Sequence, residues 1–125
     1  MQLVLALTAA LAAVAQAQPS GDWRDLPVDI TSAAVLYRAL HRAEQYAPGV
    51  DTYACASRID SAKTRGWPEA EFVFEAELCR LQAPNGKGFC FGSDCASGVK
   101  THATLYVRGN DQGGSETVTR IDWQQ

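Results

Sequence analysis

The sequence predicts an α+β fold in which one long helix packs on an antiparallel sheet of four to five strands, with two disulfides. Residues 32–47 repeat apolar side chains at spacings of three and four, as an amphipathic helix does. Beyond residue 50, segments of alternating polarity are separated by Gly, Pro and Asn, which indicates hairpin-linked strands. A helix followed by such strands buries both apolar faces by packing on one side of the sheet.

The N-terminal segment is predicted to be a signal peptide. Residues 2–15 are almost entirely Leu, Val and Ala, and the first charged side chain is Asp22. Ala15-Gln16-Ala17 has the pattern of a cleavage site, and the apolar run is shorter than the about 20 residues of a membrane span. We expect removal of residues 1–17 and secretion of the protein to the extracellular space. A buried helix of a cytosolic protein is disfavoured, because Gln-Pro-Ser-Gly follows at once.

The rest of the chain has the length of a single domain. Residues 18–30 are rich in Pro, Gly and Asp and are predicted to be an extended N-terminal segment, with Trp23 as its anchor. Residues 31–125 form the predicted domain.

The predicted helix occupies residues 32–47. Thr31 or Ser32, just after Asp29, can cap its N-terminus, and Pro48-Gly49 is expected to end it. One face of this helix carries Leu36, Ala39, Leu40, Ala43 and Ala47.

Four strands are predicted after the helix, at residues 52–62, 69–81, 101–108 and 116–123. The second alternates most clearly, because Phe72, Phe74, Ala76 and Leu78 share one face while Glu71, Glu75 and Glu77 share the other. In the third strand the inward side chains are Ala103, Leu105 and Val107. Residues 63–68 and 109–114 are predicted turns, and residues 82–98 a long loop.

The cysteines, Cys55, Cys79, Cys90 and Cys95, are predicted to form disulfides, since an even count in a small exported chain indicates such a framework. Three pairings are possible; we favour Cys79–Cys90, which closes the start of the long loop, with Cys55–Cys95. The alternative is a zinc site. It is disfavoured because the usual short Cys pairs are missing and His102 is the one other ligand nearby in sequence.

This layout resembles the cystatin superfamily, in which a long helix is wrapped by an antiparallel sheet with a cysteine loop after the third strand. The stretches that carry the resemblance are the helix 32–47, the strands 52–62 and 69–81, AELCRLQAPNGKGFC and DCASGVKTHATLYV. The interval from Cys79 to Cys90 is similar to the first disulfide of cystatins and cathelicidin pro-domains. The strand ending in Leu-Tyr-Val is similar to one domain of the latexin group. The resemblance implies a diverged cystatin-like fold.

Papain-inhibiting cystatins bind through an N-terminal Gly, a Gln-x-Val-x-Gly hairpin and a Pro-Trp hairpin. Gly21 stands at the first of these places, but the first hairpin here is Lys63-Thr64-Arg65-Gly66-Trp67-Pro68 and the last has no Pro-Trp. An exposed Trp beside an Arg is the kind of anchor that dominates interfaces. The candidate target-binding residues are therefore Gly21, Arg65, Gly66 and Trp67. The alternative for Trp67 is that its ring folds back onto the sheet.

The remaining histidines, carboxylates and sequence motifs do not indicate a set of catalytic residues. His41 and His102 are isolated, and Glu71, Glu75 and Glu77 share an open strand face. Hydrolase, zinc-protease and phosphate-loop motifs are missing, so we expect no enzymatic activity, cofactor or metal. A net charge of −3 disfavours nucleic acid and membrane as partners.

Two functional hypotheses follow. The first is a secreted protease inhibitor or inhibitor-like binder, whose partner is an extracellular or lysosomal-type protease. The second is a non-inhibitory extracellular module, such as a host-defence, egg, seminal or matrix protein.

Overall fold

The computed structural model describes residues 22–66, 69–82, 88–91, 95, 98–110 and 116–124. Within them, helix α1 packs on a five-stranded antiparallel sheet of order β1-β2-β3-β4-β5. This confirms the α+β prediction. The elements are β1 (Arg24–Leu26), α1 (Ile30–Leu40), a 3₁₀ turn (Ala43–Gln45), β2 (Tyr53–Arg65), β3 (Glu69–Leu81), β4 (Lys100–Asn110) and β5 (Thr117–Trp123).

The first strand lies inside the segment predicted to be extended. β1 pairs with the end of β2, placing Arg24 opposite Thr64 and Leu26 opposite Ala62. Three residues with two charges show no alternation of polarity, so the sequence does not indicate this strand. The predicted signal peptide, residues 1–17, lies outside the described residues. No helix in the described part of the chain is long and apolar enough to cross a membrane.

Helix α1 begins with a reciprocal cap. The carboxylate of Asp29 accepts hydrogen bonds from the backbone N–H groups of Thr31 at 3.0 Å and Ser32 at 3.2 Å, and the Ser32 hydroxyl accepts one from the Asp29 N–H at 3.0 Å. Such a capping box satisfies donors that the first helical turn leaves without partners. The cap is therefore Asp29, one turn ahead of the predicted start.

The predicted end of the helix at residue 47 is wrong, because α1 ends at Leu40. The chain then turns and buries Tyr46, whose hydroxyl lies 2.8 Å from the Leu40 carbonyl and accepts a hydrogen bond from the Ala54 N–H at 3.2 Å. This burial raises the pKa of Tyr46 to about 12. Ala43 and Ala47 favour a helix but have little area to bury, so the aromatic ring determines the path of the chain.

The core lies between α1 and the inner face of the sheet, as predicted for β3 and β4. Phe74 and Leu105, which are directly opposite each other, are completely buried, and so is the next inward pair, Ala76 and Ala103. Phe72 is half-buried at the margin. Strand register places Glu71, Glu75 and Glu77 on the opposite, outer face, opposite Arg65, Ser61 and Arg58.

The cysteines form two disulfides, but the favoured pairing is wrong: the bonds are Cys55–Cys90 and Cys79–Cys95. Cys55 and Cys79 are directly opposite each other on β2 and β3. The returning loop runs along β2, where the Cys90 N–H donates to the Ala56 carbonyl at 2.9 Å, and this places Cys90 next to Cys55. All four thiols are used, which contradicts the zinc alternative.

The returning loop also touches the helix. A Cβ at Gly88 would lie 2.7 Å from the Tyr37 carbonyl oxygen and 2.8 Å from its Cα, so only glycine permits this approach. The Phe89 ring packs 5.7 Å from that of Tyr37. Covalent bonds and close packing thus fix one end of the sheet. We call this end, which carries the two disulfides, the loop end.

Candidate target-binding edge

The sheet topology brings three separate segments together at the end opposite the disulfides. The chain enters β1 next to the end of β2, since Arg24 pairs with Thr64. The start of β3 and the end of β4 meet there as well, because Glu69 pairs with Asn110. β5 begins at the same end of the sheet, because Thr117 pairs with Arg108. We call this the tip end and define it by residues 22–24, 65–66, 69, 110 and 116–117.

Arg65 is held in a fixed position at the tip end. Its Nε donates a hydrogen bond to the Glu71 carboxylate at 2.8 Å, and its guanidinium lies 4.4 Å from the centre of the Trp23 ring. A guanidinium over an indole face is an attractive pair. Trp23, Arg65 and Glu71 therefore connect the entry segment, β2 and β3 on the outer face.

Gly66 begins the turn after β2 with φ 91°, a backbone conformation that favours glycine. Of the four candidate residues, Arg65 and Gly66 are adjacent at the tip end. Gly21 and Trp67 lie outside the described residues, so their roles stay predictions.

A buried ion pair ties the third segment of the tip end to the helix. Glu116 is 2% exposed, and its carboxylate accepts hydrogen bonds from Arg38 Nε at 3.0 Å and Nη2 at 2.8 Å. The hydrogen bond raises the pKa of Arg38. The side-chain amide of Gln45 donates to the Glu116 carbonyl. Through these contacts the start of β5 is fixed to α1.

Sequence reasoning missed this pair although a signal was present. Glu116 lies two residues before the core residue Val118, so strand alternation directs both side chains inward. A carboxylate at an inward position requires a buried cationic partner. Arg38 does not belong to the apolar face of the helix formed by Leu36, Ala39 and Leu40, so helical periodicity does not identify it as that partner.

The predicted outward position of His102 is correct, and the ring joins three strands. Its Nδ1 lies 3.4 Å from the Asp60 carboxylate and its Nε2 lies 3.1 Å from that of Glu75. The Thr104 hydroxyl donates to the same Glu75 at 3.0 Å. His41 instead stacks on Tyr37 at 4.9 Å, with Nδ1 buried.

These contacts hold no candidate metal centre. The described residues contain no group of three or more His, Cys, Asp or Glu side chains arranged to bind an ion. Both ring nitrogens of His102 face carboxylates, and the Thr104 hydroxyl donates to Glu75 rather than to the imidazole. The cluster acts as a cross-link of β2, β3 and β4.

No protein-family model matches the chain, and a search of curated proteins finds no significant match.

Proposed function

We propose that the protein is a secreted, cystatin-like protein that binds a protease through the tip end and inhibits it. The observation that carries the proposal is the convergence of three chain segments at one end of the sheet. Chain segments that end together at one edge of a rigid sheet can enter a cleft that a flat surface cannot.

The support comes from topology and not from the cysteines. One helix after a short first strand, followed by four antiparallel strands in sequential order, agrees with the layout that the resemblance implies. The disulfide pairing differs from the one expected from that resemblance.

The tip end is organised before a partner arrives. Arg65 is fixed by Glu71 and Trp23, and Glu116 is fixed by Arg38. Side chains that are already ordered lose less conformational entropy on binding. This arrangement favours a binding surface over a mobile linker.

The test is an inhibition assay against a panel of papain-like cysteine proteases and metallocarboxypeptidases. We expect inhibition at micromolar protein and a loss of about tenfold in Arg65→Gln, the size typical of an interface anchor. Arg58→Gln is the matched control, because Arg58 lies on the same strand and face, pairs with Asp60 at 2.7 Å, and is far from the tip end. Its inhibition should stay within about twofold of the original.

Two results would overturn the proposal. One is the absence of inhibition in both protease classes at micromolar protein. The other is an equal loss in the Arg58 and Arg65 variants.

The second candidate, a non-inhibitory extracellular module, is favoured by one observation: the charge of Arg65 is already neutralised by Glu71. Affinity capture from the native secreted fluid separates the two candidates. Recovery of a protease alone would contradict this second function.

A further inference from the structure

The outer face of the sheet is divided into a cationic half and an anionic half. Register aligns outward side chains in rows across the strands, and the two rows nearest the tip end carry four cations, Lys63, Arg65, Arg108 and Arg120, against two carboxylates, Asp25 and Glu71. The rows beyond them carry four carboxylates, Asp60, Glu75, Glu77 and Asp122, against Arg58 and the His102 ring. The cationic half contrasts with the net charge of −3 of the whole chain.

Two adjoining hollows lie on this face and share Trp23 and Tyr106. The first, of about 320 Å³, is lined by three arginines, Arg65, Arg108 and Arg120, but by one carboxylate, Glu71. The second, of about 250 Å³, has Lys63, Ser61 and Glu75 on its walls. Volumes of this order accommodate a small ligand or one ring of a longer one.

The cations of the first hollow differ in how they are held. Arg65 pairs with Glu71, and Arg120 pairs with Asp122 at 2.8 Å while its guanidinium lies 4.3 Å from the Tyr106 ring centre. Arg108 is exposed and forms no ion pair within 4.0 Å among the described residues: Glu71 is directly opposite it on β3, but the Glu71 carboxylate is held by Arg65. Its planar fork can donate two hydrogen bonds to one sulfate or carboxylate.

We propose that this face binds an acidic glycan, with a sulfate or carboxylate group on Arg108 and a sugar ring against Trp23 and Tyr106. The apolar C–H face of a sugar ring packs on aromatic side chains, and ring hydroxyls find polar partners around them. This site shares Trp23 and Arg65 with the tip end and extends from there over the sheet face, but it does not depend on protease binding.

An acidic peptide fits less well. Extended peptides are recognised largely through main-chain hydrogen bonds to an open strand edge. β3 and β4, which carry Glu71, Tyr106 and Arg108, are interior strands paired on both sides. A long polyanion is also disfavoured, since it would have to cross the acidic rows of the same face.

The experiment titrates the full secreted protein with a heparin-derived tetrasaccharide in a calorimeter at about 0.15 M salt, where surface charges are screened within about 8 Å. We expect binding, with affinity reduced about tenfold in Arg108→Gln. Arg42→Gln is the charge-matched control, because Arg42 lies on the exposed turn after α1, 3.8 Å from Glu44, and should change affinity less than twofold. Tyr106→Leu should weaken the tetrasaccharide but leave the weak binding of inorganic sulfate unchanged.

Further ligands separate the chemistry. A hyaluronan tetrasaccharide carries carboxylates but no sulfates, so comparing its affinity with that of the heparin tetrasaccharide shows which acidic group the site prefers. The proposal is supported if either glycan binds and if its affinity falls in Arg108→Gln. Three results would overturn it: no binding of either glycan below millimolar concentration, equal losses in the Arg42 and Arg108 variants, or equally tight, Arg108-dependent binding of an oligoglutamate peptide.

Discussion

The two ends of the sheet are held by different kinds of interaction. At the loop end, disulfides join Cys55 to Cys90 and Cys79 to Cys95. At the tip end, ion pairs and ring stacking connect the segments, as for Arg65 with Glu71 and Trp23. Covalent bonds fix a loop at any pH or salt concentration, whereas polar contacts respond to both. The covalent constraint therefore lies at the loop end, and the tip end, where we propose that a target binds, depends on polar contacts.

The largest expected effects are at the loop end. The double variant in which Ala replaces Cys55 and Cys90 should lose about 4 kcal/mol of unfolding free energy. The corresponding variant of Cys79 and Cys95 should lose about 3 kcal/mol, because the Cys55–Cys90 bond closes the longer loop. Denaturant unfolding of each double variant measures these losses. A non-reducing peptide map of the original protein serves as the control. Recovery of a Cys79–Cys90 peptide would contradict the observed pairing.

The pairing also shows where sequence reasoning fails. Period-two alternation correctly predicted the inner faces of β3 and β4, because each strand buries one side. Spacing could not predict which cysteine Cys90 meets, since this depends on the loop running along β2 at Ala56. For the same reason the helix end was missed: the burial of Tyr46 is a long-range contact that local periodicity does not include.

The candidate site was predictable to a smaller extent. Residue types place Arg65 and Gly66 in a turn; both lie at the tip end, but the structure makes Arg65 the last residue of β2. The Arg38–Glu116 pair depends on how α1 packs against the start of β5, and the cationic rows depend on the register between strands. Net charge and local pattern contain no information about that register.

An intermediate effect is expected from the buried ion pair at the tip end. Glu116→Gln removes the charge that Arg38 contacts at 2.8 Å. Breaking a buried pair costs several kcal/mol, but the Arg38 side chain is 39% exposed, so solvent reduces the loss to about 2 kcal/mol. Denaturant unfolding of the variant measures it.

The matched control is Asp122→Asn, which breaks the exposed pair with Arg120 and should leave the denaturant midpoint almost unchanged. Equal losses in the two variants would show that the burial of Glu116 does not make its ion pair more stabilising than the exposed pair of Asp122. The tip end would then depend on surface charge alone.

The smallest effect on global stability is expected from Arg65→Gln. The side chains of Arg65 and Glu71 are 36% and 24% exposed, so the ion pair and the contact with Trp23 should together contribute about 1 kcal/mol. The local effect should be much larger, because β1 is short and Trp23 is its connection to the outer face. We expect amide hydrogen exchange to accelerate by about tenfold at Leu26 and to remain unchanged in β3.

Arg80→Gln provides the comparison, since Arg80 lies 4.0 Å from the Trp123 ring centre near the disulfides and has no contact with β1. If exchange at Leu26 stays slow in the Arg65 variant, the stacking does not hold the entry segment, and the tip end is fixed by the sheet backbone instead.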